Sequence, residues 1–421
     1  MHIIFRFIIL FIKCLMDIIG DIFYYFGLKL SPLTFENISK ELTKEARSEL
    51  LQVEYLQDNL DVFIRTIADG NTMPVTGRYF TKVWLIHLLE LRVRIKRCLK
   101  EDPSIYRVPL KRPIFFVTMM RTGSTFMHCL MAEDDQWSCP KLWELEDFSP
   151  PPGTTAADDK TRIARCQLKW EITSTLMGWN DVKKAHGFNP LTPEDLLFLY
   201  HLDFKFITAM HDRMEGEFMD FFQNQPANLE LIYNKNLKTH LQMICKNKDM
   251  ENKRLLTMLH ASPAHLESLL QVFPDAQIIT LHRDPVGVMK SVCDLIHTNS
   301  RTCRRLFVDN KKGVGRRLLK SLTNDSKNLV KWRKDQNLEG KGIQRFIDVN
   351  FKDLIKNPIE TVQSVYKQLG TTLDDNSYKK MAAFLNSHKK SSSKAFDIQD
   401  FGLTKETIRE SFKEYTDYFK V

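Results

Sequence analysis

The stretch "TMMRTGSTFMH", Thr118 to His128, places an arginine, a glycine and several hydroxyl residues directly behind the apolar run "PIFFV", Pro113 to Val117. This order predicts a strand, a tight turn and the start of a helix. Gly123 can take a backbone conformation closed to other residues and lets the chain approach an anion closely. The N–H groups of a helix start have no intrahelical partner and point at such an anion. Arg121 adds charge and a planar fork suited to phosphate-like oxygens. Thr122, Ser124 and Thr125 add hydroxyls. The chemistry implied is the holding of an oxyanion. The pattern is not a Walker A loop, whose lysine follows the last glycine and precedes the hydroxyl residue; here the basic residue comes before the glycine. An ordinary capped turn is the plain alternative.

A second stretch, "IITLHRDPVGVMKSVCDL" at 278–295, repeats the arrangement of strand, turn and helix. Asp284 precedes a proline, so it is biased away from helix and suits an N-cap, with Pro285 opening the helix. Arg283 then stands at the strand's carboxyl end and Ser291 about two turns along the helix. Both could reach one phosphate. Otherwise Arg283 pairs with Asp284 at the surface and Ser291 is a plain helix residue.

These motifs need a scaffold, and the pattern supplies one. Strand signals occur at 114–118, 138–142, 254–259, 277–282 and 346–350. Helical periodicity appears at 36–68, 77–100, 124–134, 264–272, 285–297, 314–336 and 358–369. The last has Asn357 as its expected N-cap, Pro358 in the first position and Gly370 after its end. Strands alternating with helices predict an α/β fold with a central parallel sheet covered on both faces. Residues 155–250 show helical periodicity without a convincing strand and read as a helical insertion that shapes a pocket. The division expected is a segment 1–30, a helical region 31–105 and an α/β domain 106–421.

The chain has 421 residues and a net charge of +9. That balance suits an anionic partner: a phosphorylated cofactor, an acidic membrane surface or nucleic acid. Zinc-finger spacing, RNP-type aromatics and long basic blocks are missing, which argues against nucleic acid. Eight cysteines are scattered without a CxxC pair, as in a reduced, cytosol-facing protein. Asn37 and Asn324 begin glycosylation triplets, which leave a secretory-pathway location open.

The N-terminus, "MHIIFRFIILFIKCLMDIIGDIFYYFGLKL", is apolar but interrupted by charge. On a helix, His2, Arg6, Lys13, Asp17, Gly20 and Asp21 fall in one narrow stripe, and the rest of the surface is apolar. This predicts an interfacial membrane helix. A Golgi-type single-pass anchor and a helix docked on the protein's own core are the other arrangements. No small-residue cleavage site marks a signal peptide.

Together the two motifs resemble the sulfotransferase family, in the branch with "PRTGTT"-type loops and a later "HRDP". The resemblance spans roughly 110–420 and includes "KLWELEDFSPPP", "NPLTPEDLLFL", "SPAHLESLLQVFPDAQIITLHRDP", "VNFKDLIKNPIETVQSVYKQLG" and "DFGLTKETIRESFKEYTDYF". It implies a three-layer, P-loop-like α/β fold and the donor 3′-phosphoadenosine 5′-phosphosulfate (PAPS). By the same resemblance Arg121, Thr122, Gly123, Ser124 and Thr125 cradle the 5′-phosphosulfate, and Arg283 and Ser291 hold the 3′-phosphate. Two departures stand out. Met120 replaces the usual proline, and "HASPAH" at 260–265 replaces "LKSPAH". The lysine position is thus Ala261, and the donor lacks that cation unless His260 compensates.

Sulfuryl transfer requires positioning and charge stabilisation, with Arg121 as the candidate for the latter and no metal. A base must take the acceptor's proton. Glu144, expected just after the second strand, ranks first; His186 and Glu194 follow. His128, His260 and His265 read as packing residues. The acceptor is expected to be a hydroxyl compound, leaning toward a lipid or other hydrophobic alcohol. A P-loop phosphotransferase and a non-catalytic, membrane-attached nucleotide-binding protein are the competing functions.

Overall fold

In the computed structural model, which describes residues 3–68, 73–177, 187–205, 221, 225–260, 266–303, 310–335, 345–387 and 397–421, the apolar run after Pro113 is a buried strand, β1 (Ile114–Val117). The other strands are β2 (Trp137–Ser138), β3 (Arg254–Leu259), β4 (Gln277–His282) and β5 (Phe346–Asn350). All pairings are parallel, and the spatial order is β2-β3-β1-β4-β5. β1 is therefore central, with β3 and β4 on either side.

Alternate side chains feed opposite layers. Phe115, Val117, Leu255, Leu259 and Ile278 join one core with the helices Ala227–Ile244, Leu266–Val272 and Pro285–Asn299. Ile114, Phe116, Leu256, Met258 and Ile279 join the other with α6 (Ser124–Met131) and the helix Pro358–Leu369. This is the three-layer, P-loop-like α/β arrangement, and it explains why the strands read as continuous apolar runs.

The expected helix 36–68 is three helices: α2 (Phe35–Glu41), α3 (Lys44–Gln52) and α4 (Glu54–Ala68). Thr43 causes one break. Its hydroxyl caps α3 by accepting from Ala46 N at 3.2 Å, while its own N–H donates to Glu90 at 2.8 Å. These helices and α5 (Val75–Glu101) contribute Leu50, Phe63 and Leu85 to the first core. The second strand is shorter than 138–142, because Pro140 has no N–H to donate and a helix, α7 (Leu142–Glu146), starts almost at once. Asn357 precedes the helix at 358 without capping it through its side chain, whereas Gly370 closes that helix at φ 76°. Among the described residues of 155–250, the long helices are α8 (Ala156–Met177) and Ala227–Ile244, with no strand.

The first helix, α1 (Ile3–Tyr25), lies against α5 and α8 through its polar stripe. Lys13 and Asp17 are buried and paired at 2.6 Å, and Asp17 accepts from the N–H and hydroxyl of Thr76 at 3.1 and 2.7 Å. Gly20 abuts Val75 so closely that a Cβ would stand 2.7 Å from its Cγ1. The apolar face, including Ile3, Phe7, Phe11, Ile18, Ile22 and Tyr25, is exposed. His2 lies outside the described residues.

Candidate functional site

Three adjacent strands end at one edge of the sheet, and each delivers part of the site there. β1 delivers the turn 118–123, β4 delivers Arg283, and β3 delivers His260. Carboxyl ends of parallel strands are where such folds bind ligands.

The turn is shaped from within. Thr122 is fully buried, and its hydroxyl bonds Met119 O and Thr118 Oγ1, both at 2.9 Å. Its side chain therefore braces the turn, which leaves the backbone to meet a ligand. Arg121 has φ 66°, and Gly123, with φ 94°, forms the N-cap of α6. Any larger residue at Gly123 would be strained, and its Cβ would press on the Phe351 ring at 2.9 Å. Ser124 and Thr125 then open α6, and both border a cleft of about 1540 Å³.

The second motif closes on the first. Asp284 caps its helix by accepting from Val286 N and Gly287 N, both at 3.3 Å. Arg283 Nη1 donates to Arg121 O at 2.7 Å, and its guanidinium sits over the Phe351 ring at 4.2 Å. Arg121 Nε donates to Ser291 Oγ at 2.9 Å. Behind Arg283, His282 is hydrogen-bonded to Tyr415 Oη and Asp348 and stacks on Phe419 at 3.8 Å, so the C-terminal helices brace the strand end. Burial holds the Arg121 guanidinium below its ordinary value, and the charge of Arg283 adds to that. Burial also lowers Arg283, with Asp284 opposing. Two half-buried cations held together make a place that an anion would stabilise. The expected donor residues thus come together here.

Glu144 borders the cleft, but from α7 rather than from a strand end, and its carboxylate is engaged. It accepts from Lys141 N at 2.8 Å and pairs through both oxygens with Lys248 at 2.8 Å. Burial works against the Lys248 charge, but Glu144 outweighs it and holds the ammonium above its ordinary value. Glu194 also borders the cleft, is buried, and accepts from Asp195 N at 3.0 Å through one oxygen. His186 lies outside the described residues, as do Ala261 and His265.

The residue that sequence reasoning undervalued is His260. Its Nε2 is 3.0 Å from Ser124 Oγ, and its Nδ1 is bonded to Asp195 Oδ2. The available signal was its place directly after a strand beside the phosphate turn. His128 is a packing residue, as expected: it is fully buried, and burial pushes it down to about 4.

The far wall of the cleft is aromatic. Trp170 of α8 stacks on Phe188 at 3.8 Å and meets Phe198 edge-on at 6.0 Å, and Met177 lies nearby on the same wall.

A parallel sheet with an anion-type turn after its central strand and a second basic motif beside it defines a P-loop-like α/β protein. More narrowly, the chain belongs to the sulfotransferase family, whose pattern it matches over residues 113–375. It is 25% identical over 264 residues to omega-hydroxy-beta-dihydromenaquinone-9 sulfotransferase Stf3 of Mycobacterium bovis and to its namesake in Mycobacterium tuberculosis. Those matches cover 61% of this chain and 62% of each relative, so the similarity spans less than two thirds of the relatives' length. Among solved structures, the fold is similar to sulfotransferase STF9 from Mycobacterium avium, with TM-score 0.77, 18% identity and coverage of 92% of this chain and 97% of that one. It is likewise similar to STF1 from Mycobacterium tuberculosis, with TM-score 0.71, 20% identity and coverage of 91% and 99%.

Proposed function

We propose that the protein transfers a sulfuryl group from PAPS to a hydroxyl of a hydrophobic, lipid-like acceptor, at a membrane surface facing the cytoplasm. The observation that carries this reading is the convergence of Arg121, Arg283 and Ser291 beside the Gly123 turn, across one cleft from the aromatic wall of Trp170, Phe188 and Phe198. The cationic end suits a nucleotide with two phosphate-type groups, and the aromatic end suits an apolar acceptor. The name of the mycobacterial relative, a menaquinone-derivative sulfotransferase, agrees with such an acceptor.

In this reading the donor supplies an activated sulfuryl group. The acceptor oxygen attacks sulfur in line, the bond from sulfur to the bridging oxygen breaks, and adenosine 3′,5′-bisphosphate leaves. Arg121 neutralises the charge that collects on the leaving phosphate. Glu194 takes the acceptor's proton. Glu144 is paired with the Lys248 ammonium, which favours its charged form and weakens it as a base. Glu144 instead fixes the loop between β2 and α7.

Membrane attachment is assigned to α1. Its charges are turned inward to the protein, which leaves an uncharged apolar face outside. Among the described residues no helix is long and apolar enough to cross a membrane, so the face is assigned to the bilayer interface. The scattered cysteines, without a CxxC pair, agree with a cytoplasmic side.

The direct test is calorimetry with adenosine 3′,5′-bisphosphate against ATP, followed by turnover of labelled PAPS with a pool of lipid alcohols. Preference for ATP would reassign the protein to phosphotransfer. Bisphosphate binding without transfer to any acceptor would leave a non-catalytic binding protein.

A further inference from the structure

The end of β3 carries a hydrogen-bonded chain that the transfer step above does not use: Asp195, His260, Ser124. Asp195 is held in place by backbone. Its Oδ1 accepts from Leu197 N at 2.9 Å, the residue bridges to Met258, and Leu196 N donates to Met258 O at 2.9 Å. Asp195 and His260 are both largely shielded from solvent, with side chains 9% and 12% exposed. Ser124, the first residue of α6, is 2% exposed.

The polarity of this chain has a consequence. A carboxylate can only accept, so Nδ1 of His260 carries a proton. The state of Nε2 then decides what Ser124 can do. If the ring is neutral, Nε2 accepts the Ser124 hydrogen, and the hydroxyl presents only lone pairs to an anion in the turn. If the ring is doubly protonated, Nε2 donates to Ser124 Oγ, and the hydroxyl hydrogen is released to the anion. Only the second state lets His260 donate on both sides, to Asp195 and to Ser124, so that Ser124 in turn donates to the ligand. It also brings a cation one hydroxyl away from the bound charge.

We propose that His260 couples protonation to ligand binding: the phosphate end of the donor nucleotide, or of its bisphosphate product, binds the turn together with one proton, which rests on His260 and is passed on as hydrogen-bond polarity through Ser124. The proposal rests on the donor-site reading above. His260 is here a positioning residue, acting through Ser124. Among the described residues, the charged and titratable groups that share this region with His260 include Asp195 and Glu194 from the segment beside β3 and His128 from α6, which responds to all three. Burial keeps the His128 ring neutral down to about pH 4, so it does not compete for this proton near neutrality. Histidine is the side chain suited to such a change between pH 5 and 8.

Isothermal titration with adenosine 3′,5′-bisphosphate at pH 7.5, in Tris and in HEPES, measures the protons taken up on binding. The wild-type protein is expected to take up on the order of half a proton more than His260→Gln. Its affinity should also fall by roughly tenfold more than that of the variant between pH 6.5 and 8.5, since one linked proton changes affinity at most tenfold per pH unit. Ser124→Ala keeps the imidazole and removes the link, so it should lose the same uptake, and it reports independently if His260→Gln does not fold. Uptake equal in wild type and His260→Gln, or retained in Ser124→Ala, overturns the proposal. Failure of the wild-type protein to bind the bisphosphate at all counts instead against the donor site itself.

Discussion

Arg121 reaches away from its own turn: its Nε donates to Ser291 Oγ at 2.9 Å, while its carbonyl accepts from Arg283 at 2.7 Å. One residue thus ties the loop after β1 to both halves of the second motif.

If Arg283 holds the 3′-phosphate, Arg283→Ala should weaken adenosine 3′,5′-bisphosphate far more than adenosine 5′-phosphate, which lacks that group. A charge-assisted contact is worth ~1.5–3 kcal/mol, or roughly ten- to a hundred-fold in affinity. Ser291→Ala should show the same selectivity with a smaller loss. Calorimetry on variants shown to be folded decides it. Equal losses for both nucleotides would return Arg283 to a purely structural part in bracing the turn.

Arg121→Ala should behave differently. Its charge is assigned to the leaving phosphate, where charge grows during transfer, so kcat should fall more than donor affinity. Arg121→Lys should recover part of the charge but not the Nε contact with Ser291. Steady-state turnover beside bisphosphate titrations separates the two effects, and a loss confined to affinity would remove Arg121 from the transfer step.

Much of this was readable in the chain, for particular reasons. Arg121, Gly123 and Arg283 sit at strand ends and helix starts, and Ser291 lies two turns along the helix that follows Arg283, so strand–turn–helix periodicity brings them to one edge. Asp284 was readable as a cap because Pro285 follows it, and the structure has that cap. Asn357 has the same sequence context, yet its side chain makes no cap bond. Glu144 was misjudged in its setting. Pro140 cuts the second strand short, and the partner of the carboxylate, Lys248, is 104 residues away. The Asp195–His260 bond likewise joins residues 65 apart, which no local pattern encodes.

The two carboxylates of the cleft should separate by experiment. Glu194→Gln is expected to lower turnover per folded molecule by ~10²–10⁴-fold, as loss of a general base does. Glu144→Gln should mainly lower stability. It leaves Lys248 without its buried partner, at a cost of about 3 kcal/mol or more, with a smaller loss of turnover per folded molecule. Chemical denaturation and turnover on both variants settle the assignment. A stable but inactive Glu144→Gln would exchange the two roles.

Acid should destabilise the fold in a defined window. Burial pushes His128 and His240 down to about 4. In the unfolded chain an imidazole titrates near ~6.5. Below that value the unfolded chain binds protons that the folded protein refuses. Stability from these groups is therefore complete above pH ~6.5 and falls as the pH drops toward about 4, by on the order of 3 kcal/mol for each histidine. Denaturant midpoints measured across this range should fall steeply for the wild type and less steeply for His128→Gln with His240→Gln. An unchanged slope in the double variant would mean that other groups govern the acid limb.

The last prediction concerns α1. Its Lys13–Asp17 pair and the Thr76 contacts hold the helix on the body by its polar side, so the outward apolar face has no partner within the chain's described residues. Phe7 and Phe11, each 68% exposed, stand on that face. Burying such a side chain in the interface is worth about 1.5–3 kcal/mol. Phe7→Glu with Phe11→Glu should therefore reduce binding to phosphatidylcholine vesicles on the order of a hundred-fold or more. Bisphosphate affinity should not change, because neither residue borders the cleft. Deleting residues 1–30 should release the protein in the same way, but it also uncovers Thr76 and Val75, so the double substitution is the cleaner measurement. Flotation of wild type and variant with the vesicles gives the answer. Co-flotation of the double variant at the wild-type level would move the attachment to another surface, and a wild-type protein that stays in the soluble fraction would leave the apolar face for a protein partner.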